Sequence, residues 1–314
     1  MTEPLPAILL EADIEPHQDA MRLDLAAAEL FPAYSRSRIQ SWIKTGVLLL
    51  NGAEVGVRHK VAPGDRIVLH AILEPDLAWN AEDIAVEFVY RDESIAVINK
   101  PAGLVTHPGA GNWSGTLANG LLHHMPSLAA VPRAGIVHRL DKDTSGLLVI
   151  GLDLAAHQSL VQQLQARTVS RQYVAFTIGH PGIKGTIDKP LGRHPRQRQK
   201  MAVRREGGKQ AITHFETQEY LDGVAKVKLK LETGRTHQIR VHMAELGFPL
   251  LGDPLYGARL RKNLGAHLED IRAFSRQALH AEALSLQHPV TGEIHEWQIP
   301  LPEDMRHLLE QLRQ

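Results

Sequence analysis

An α+β fold is predicted, with a small two-helix module and short sheet followed by a larger, mixed antiparallel-sheet domain. Three observations carry this. The chain has 314 residues, about twice the roughly 150 residues of one typical domain. Helical periodicity appears twice between residues 21 and 44, and an Asn-Gly turn follows at once. Beyond residue 86, short strand-like runs dominate, with long intervening segments and few clean strand–helix–strand repeats, which favours a mixed sheet over a doubly wound one.

Residues 21–31 (MRLDLAAAELF) read as a short amphipathic helix closed by Pro32, because proline cannot continue a helix and restricts its predecessor. Ser35 is the expected N-cap of a second helix over residues 36–44. There Ile39, Trp42 and Ile43 share a face that Arg36, Arg38 and Lys44 mostly avoid. Gly46 ends it. Residues 47–50, the Asn51-Gly52 turn and residues 54–57 read as a hairpin, and Pro63-Gly64-Asp65 leads into a strand over residues 66–70. The expected front domain therefore spans residues 18–72. Residues 73–85, acidic and containing Pro75, read as a linker, and residues 86–314 as the second domain. In that domain strands are expected over residues 86–90, 95–98, 147–150, 173–178, 214–220, 225–232 and 283–286. Helices are expected over residues 117–123, 154–167, 235–246 and 302–312.

Composition narrows the function classes. With 43% hydrophobic and 22% charged residues and a mean hydropathy of −0.19, disorder, collagen and coiled coil are excluded. No apolar run approaches the roughly 18 residues of a membrane span, and the acids and prolines of the first 15 residues do not resemble a signal peptide; a cytoplasmic protein without a membrane partner is expected. The absence of cysteine removes disulfides, thiolate nucleophiles, zinc ribbons and iron–sulfur clusters together. None of the 18 histidines stands in a helical metal-site pattern, so no metal is expected. Net charge is zero, but its distribution is uneven. Residues 161–240 hold 16 Lys and Arg against 6 Asp and Glu. The densest run, Arg193, Arg196, Arg198, Lys200, Arg204, Arg205 and Lys209, is opposed only by Glu206. Such asymmetry marks a polyanion-binding face, and Arg196, Arg198 and Lys200 are its candidate contacts.

Chemistry is densest in residues 133–151 (RAGIVHRLDKDTSGLLVIG). His138, Arg139, Asp141, Lys142, Asp143, Thr144 and Ser145 directly precede an apolar strand-like run, and loops held by rigid strands are where sites concentrate. Asp141-Lys142-Asp143-Thr144 partly fits the D-x-D-x-T pattern of aspartyl phosphotransferases. The Thr falls one position early, however, and no later acidic magnesium pair accompanies it.

Two resemblances organise these features. Arg22-Leu23-Asp24, Ser35-Arg36-Ser37-Arg38-Ile39, Gly46 with Asn51-Gly52, and Lys60-Val61 before Gly64-Asp65 make the front module similar to the S4-type RNA-binding domain. That resemblance implies that Arg36 and Arg38 face structured RNA. The run from His138 to Val149 resembles the signature H-R-L-D-x-x-T-S-G-L-x-V of the RluA-type pseudouridine synthase family. Further matching blocks are Asn99-Lys100-Pro101-Ala102-Gly103 with His107-Pro108-Gly109, and Arg171-Gln172-Tyr173-Val174-Ala175. Leu231-Glu232-Thr233-Gly234-Arg235-Thr236-His237-Gln238-Ile239-Arg240-Val241-His242 follows, with Gly252-Asp253-Pro254-Leu255-Tyr256-Gly257 and Leu279-His280-Ala281 after it. The similarity covers nearly the whole chain and runs closest to members acting on large-subunit ribosomal RNA.

The resemblance implies an isomerase that converts uridine to pseudouridine. No atom enters or leaves in that reaction, so no cofactor is expected. What it needs is a carboxylate at the anomeric carbon, as in glycosidases, and Asp141 is the residue implied. Arg240 is its implied cationic partner, and Tyr173 the residue under the target uracil, placed to accept the C5 proton. Arg139 is the implied substitute for the flipped base in the RNA stack, with His138 grouped beside it among the RNA-binding residues. Large-subunit ribosomal RNA is the expected partner, the assembling ribosomal subunit a further one, and the protein is expected to be a monomer. Two rivals remain: a non-catalytic ribosome-associated RNA-binding protein, and a family member acting on transfer RNA.

Overall fold

The computed structural model describes residues 7–32, 34, 36–72, 79–109, 111–197, 199–257 and 273–314. The expected N-cap Ser35, the basic-run residue Arg198 and linker residues 73–78 lie outside the described residues.

The front module contains β1 (Ala7–Asp13), α1 (Leu23–Leu30), α2 (Arg36–Lys44), β2 (Leu48–Leu50) and β3 (Arg66–Ile72), with antiparallel sheet order β1-β3-β2. Both helices are where the periodicity puts them. Leu23, Ala26 and Ala27 of α1 and Ile39, Trp42 and Ile43 of α2 bury against Leu48, Ile67 and Leu69 of the sheet. Two expectations fail. Residues 54–57 form no strand: Asn51-Gly52 makes a tight turn that closes on a single bridge between Leu50 and Ala53, while the opposite edge of β2 pairs with β3. The expected start of the domain at residue 18 is too late: residues 7–13 supply β1, which covers the other edge of β3.

Asp24 ties the two helices together. Its fully buried carboxylate accepts from Arg22 Nε (2.9 Å), Arg36 Nε (2.8 Å) and Gln40 Nε2 (2.6 Å). Burial pushes this carboxyl up, but the hydrogen bonds from Gln40, Arg36 and Arg22 outweigh it and hold its pKa below the ordinary carboxylate value.

The large domain is built on one nine-stranded sheet. In chain order its elements are β4 (Glu87–Arg91), β5 (Ile95–Lys100), α3 (Leu117–His124), β6 (Ser145–Gly151), α4 (Leu154–Gln165), β7 (Ser170–Ile178) and β8 (Lys184–Asp188). A small hairpin of β9 (Leu191–Arg193) and β10 (Met201–Val203) comes next. Then follow β11 (Ile212–Leu221), β12 (Val224–Leu231), α5 (Gln238–Glu245), β13 (Leu279–Gln287), β14 (Ile294–Gln298) and α6 (Glu303–Leu312). The sheet order is β4-β5-β6-β13-β7-β12-β11-β8, with β14 on β13, and every pairing is antiparallel except β13 with β6. A mixed, antiparallel-rich sheet is what the spacing of the strand runs predicts. Period-two alternation gives it two apolar faces. Tyr173 and Ala175 of β7 pack into the core under α3 and α5, whereas Val174 and Phe176 pack into a second core with Met305, Leu308 and Leu309 of α6. The strands not foreseen, β8, β9, β10 and β14, are short or partly exposed and carry weak apolar signals.

The C-terminal part of the expected linker is not detached. Trp79 packs on the large core, Glu82 accepts from the N–H of Gly115, Asn119 Nδ2 donates to Asn80 O at 2.8 Å, and His124 Nε2 lies 2.9 Å from Ile84 O. An acidic composition concealed these contacts because they use backbone groups and one tryptophan.

Candidate active site

Asp141 stands in a loop, residues 138–144, that runs directly into β6, a strand buried along its whole length. The carbonyls of residues 140–143 are each taken. Thr106 Oγ1 donates to Leu140 O at 2.8 Å, Thr144 N–H to Asp141 O at 3.1 Å, and Arg276 Nη1 to Asp143 O at 3.1 Å. Lys142 O accepts twice, from Lys100 Nζ at 3.0 Å and from Gly103 N–H at 2.9 Å. Lys100 is fully buried at the end of β5 and also donates to Pro101 O and Leu104 O, so all three donors of its ammonium have carbonyl acceptors. Burial pushes this lysine down to about 7, against the opposing fields of Asp143 and Asp141. Gly146 follows with φ +115°, where a Cβ would collide with the backbone of Ala281 on β13. The loop is therefore a fixed platform.

A second group of elements converges on its carboxylate. Arg240, on α5 and 5% exposed, forks onto Asp253 through Nε (2.7 Å) and Nη2 (2.9 Å) and reaches Asp141 Oδ2 with Nη1 at 3.0 Å. Burial pulls the guanidinium down, but Asp253 and then Asp141 outweigh it and raise its pKa above the ordinary arginine value. Asp253 is itself buried. Burial pushes it up, and Arg240 together with the N–H groups of Tyr256 and Leu255 holds it below the ordinary carboxylate value.

A third line runs through Tyr256. Its hydroxyl accepts from Met201 N–H at 2.7 Å and pairs with His237 Nδ1 at 2.8 Å. The other ring nitrogen, His237 Nε2, stands 3.9 Å from Asp141 Oδ1. Burial lowers the His237 pKa, with Asp141 opposing, which fits a neutral ring. His237 holds a left-handed backbone (φ +56°), a conformation that costs energy for any residue but glycine and gathers at sites. It also delays the start of α5 from the expected residue 235 to Gln238.

Asp141, Tyr173, Arg240, Arg139 and His138 all line one cleft. Six arginines (Arg133, Arg139, Arg167, Arg171, Arg235 and Arg240) and two carboxylates (Asp141 and Glu232) stand in its wall among the described residues. Arg139 is exposed there. Burial and the charge of Arg171 push His138 down to about 3, and its Nε2 accepts from Val149 N–H at 3.2 Å, so that ring braces the loop against β6. Tyr173, 6% exposed, has its phenol pushed up chiefly by burial. The β9–β10 hairpin carries the basic run to the same place: Met201 N–H holds Tyr256, and Lys200 Nζ lies 5.9 Å from the Tyr256 ring centroid. Arg196 is exposed on its tip. The structure does not bring Arg36 and Arg38 into the cleft; Arg36 is paired with Asp24, and the Arg38 guanidinium lies 5.2 Å over the Trp42 ring.

No local pattern marks Asp253, His237, Tyr256 or Lys100 as site residues, although each stands inside a block shared with the family. Their partners lie 13 to 42 residues away for Asp253–Arg240 and Lys100–Lys142, which no local spacing reveals.

Known proteins match this arrangement. A family profile for RNA pseudouridylate synthase matches residues 94–245, and one for the S4 domain matches residues 21–67. The chain is 54% identical over 296 residues to ribosomal large subunit pseudouridine synthase D of Pseudomonas aeruginosa, covering 93% of this chain and 92% of the relative. It is 48% identical over 310 residues to the protein of that name from Escherichia coli K12, covering 98% and 95%. Among solved structures, human RNA pseudouridylate synthase domain containing 4 matches with a TM-score of 0.57 and 27% identity, over 72% of this chain and 93% of that one. Human RNA pseudouridylate synthase domain containing 1 matches with a TM-score of 0.54 and 29% identity, over 74% and 96%.

Proposed function

The chain belongs to the RNA pseudouridylate synthase family, and from that premise we propose that it isomerises uridines to pseudouridine in large-subunit ribosomal RNA, with Asp141 as the catalytic carboxylate. The observation that carries the reading is the Asp141–Arg240 contact of 3.0 Å on a fixed loop inside an arginine-lined cleft. A protein that only bound RNA would gain nothing from aiming a carboxylate at a polyanion.

In this reading the target nucleotide leaves its stack and enters the cleft, and Arg139 occupies the gap. Asp141 acts at C1′ as the bond to uracil N1 breaks, either by bonding to the carbon or by taking the 2′ proton. Arg240 balances its charge while Asp253 fixes the guanidinium. Tyr173 starts as a protonated platform beneath the base, because burial raises its pKa; accepting the C5 proton requires it first to give up its own. The S4-like module supplies additional RNA contacts, with domain boundaries proposed at about residues 7–72, extended from the expected 18–72 to include β1, and from about residue 79 onward. The names of the relatives support large-subunit RNA over transfer RNA as substrate. Among the described residues no helix is long and apolar enough to cross a membrane. The proposal extends to a monomer working in the cytoplasm on assembling ribosomal subunits.

Release of tritium from C5-labelled uridine tests the substrate class. Turnover on large-subunit ribosomal RNA and none on transfer RNA transcripts is expected; the reverse preference would overturn it. The basic hairpin gives a separate prediction. Replacing Arg196, Arg198 and Lys200 together by Ala should weaken RNA binding and flatten the dependence of log affinity on log salt by roughly two to three units, with kcat at saturating RNA little changed. Filter retention at several salt concentrations reads the slope, and an unchanged slope would place the RNA-binding face elsewhere.

A further inference from the structure

Among the described residues, Arg171 is the one cleft arginine for which burial and poor pairing coincide. It lies on β7 two residues before Tyr173, so both side chains leave the same face of the strand. It is 7% exposed, and its Nε has no hydrogen-bond partner among the described residues. Its Nη2 makes one long bond, 3.4 Å, to the carbonyl of Glu232. The Glu232 carboxylate is turned elsewhere, to His214 at 2.7 Å and Arg167 at 3.8 Å. Gly234 leaves room for the guanidinium, since a Cβ there would stand 2.6 Å from Nη1. A buried guanidinium without a carboxylate partner costs several kcal/mol, which a fold does not retain without use. Burial pulls its pKa down.

The reaction supplies the missing anion. When the bond from C1′ to N1 breaks, its electron pair stays with the base, and the uracil anion spreads that charge over N1, O2 and O4. We propose that Arg171 is a catalytic residue that donates to a carbonyl oxygen of the departing uracil anion, a role that rests on the reading of this cleft as a uridine isomerisation site. The base then turns. The C5=C6 π pair forms the C5–C1′ bond as the N1 pair forms N1=C6 and C1′ releases Asp141, or, by the other route, the glycal takes its proton back at C2′. The C5 proton then leaves to a base and N1 gains a proton. The atoms of uridine are all retained. Arg171 is suited to this interval because it meets a neutral base before cleavage and an anion afterwards, so its interaction is stronger on the way to the intermediate than in the ground state.

The test uses the full chain and RNA containing either uridine or 5-fluorouridine at the target position, in single turnover at saturating enzyme. Fluorine stabilises the base anion and makes it a better leaving group. Loss of the N-linked nucleoside is followed by nuclease digestion and chromatography. Arg171→Met should slow the uridine reaction by about 100-fold, as removal of one donor from an oxyanion site does, with RNA affinity within about threefold of wild type. On 5-fluorouridine the loss should shrink to about tenfold or less. Arg171→Lys, which keeps a cation and serves also if the Met variant does not fold, should show a smaller uridine defect with the same dependence on the base. Equal losses on both bases would assign Arg171 to holding the fold, and lost affinity at unchanged rate would assign it to a phosphate; either result overturns the inference. If wild type itself converts no uridine, the function proposed above fails instead.

Discussion

Asp141→Asn should lower the single-turnover rate of isomerisation by at least about 10⁴-fold, a barrier increase of about 5 kcal/mol, with RNA affinity unchanged or improved. The size of the effect follows from the site. The loop carbonyls of residues 140–143 stay fixed by Thr106, Thr144, Lys100, Gly103 and Arg276, so the amide stands where the carboxylate stood. Only the charge and the nucleophilic or basic oxygen are lost. Removing a negative charge from an arginine-lined cleft also removes repulsion toward RNA phosphates, hence the expected affinity. Filter retention and C5 tritium release separate the two quantities. Residual activity within about tenfold of wild type would end the assignment of Asp141.

Asp253→Asn should cost both stability and rate. Asp253 never meets the cleft's reacting atoms in this account; it is a positioning residue that fixes Arg240 through two bonds of 2.7 and 2.9 Å. Breaking one side of a buried ion pair leaves an uncompensated charge, and a loss of about 3 kcal/mol or more is expected from denaturant unfolding. Its pH dependence has a definite sign. Because the folded pKa of Asp253 lies below 3.8, its contribution is complete above that value and is lost as pH falls below it, toward the depressed folded value. Wild type should therefore lose its advantage over Asp253→Asn on acidification through this window. A structural role alone would leave kcat intact in the folded fraction; the positioning role predicts a fall of kcat with KM nearly unchanged. In a double-mutant cycle with Arg240→Met the two losses should be strongly non-additive.

What could be read from the sequence divides along physical lines. The helices α1 and α2 and the buried strands β5, β6 and β7 carry strong periodicity or continuous apolar runs, and residues of those types settle their own local structure. The short strands β9 and β10 owe their existence to pairing with each other and to the Tyr256 hydroxyl, neither of which is local. Residues 54–57 show the converse: a strong Asn-Gly signal produced the turn and its Leu50–Ala53 bridge, but the chain beyond Ala53 does not continue along β2, which stays at the sheet edge. In the site, Asp141, Tyr173, Arg240, Arg139 and His138 do share one cleft. The residues that make it rigid escaped notice because Lys100 and Asp253 act through carbonyls and charges brought together by the fold. Arg36 is exposed, yet its pairing with the buried Asp24, 12 positions earlier, is not marked by any local pattern.

The central claim is that this carboxylate, in this cleft, converts uridine to pseudouridine in large-subunit ribosomal RNA. The most direct measurement incubates protein-free large-subunit ribosomal RNA lacking pseudouridine with the purified chain or with Asp141→Asn, then maps pseudouridine at every position. Pseudouridine is expected at a few discrete uridines with the wild-type chain and at none with the variant. An RNA left unmodified by the wild-type chain, or the same sites modified by both proteins, would contradict it.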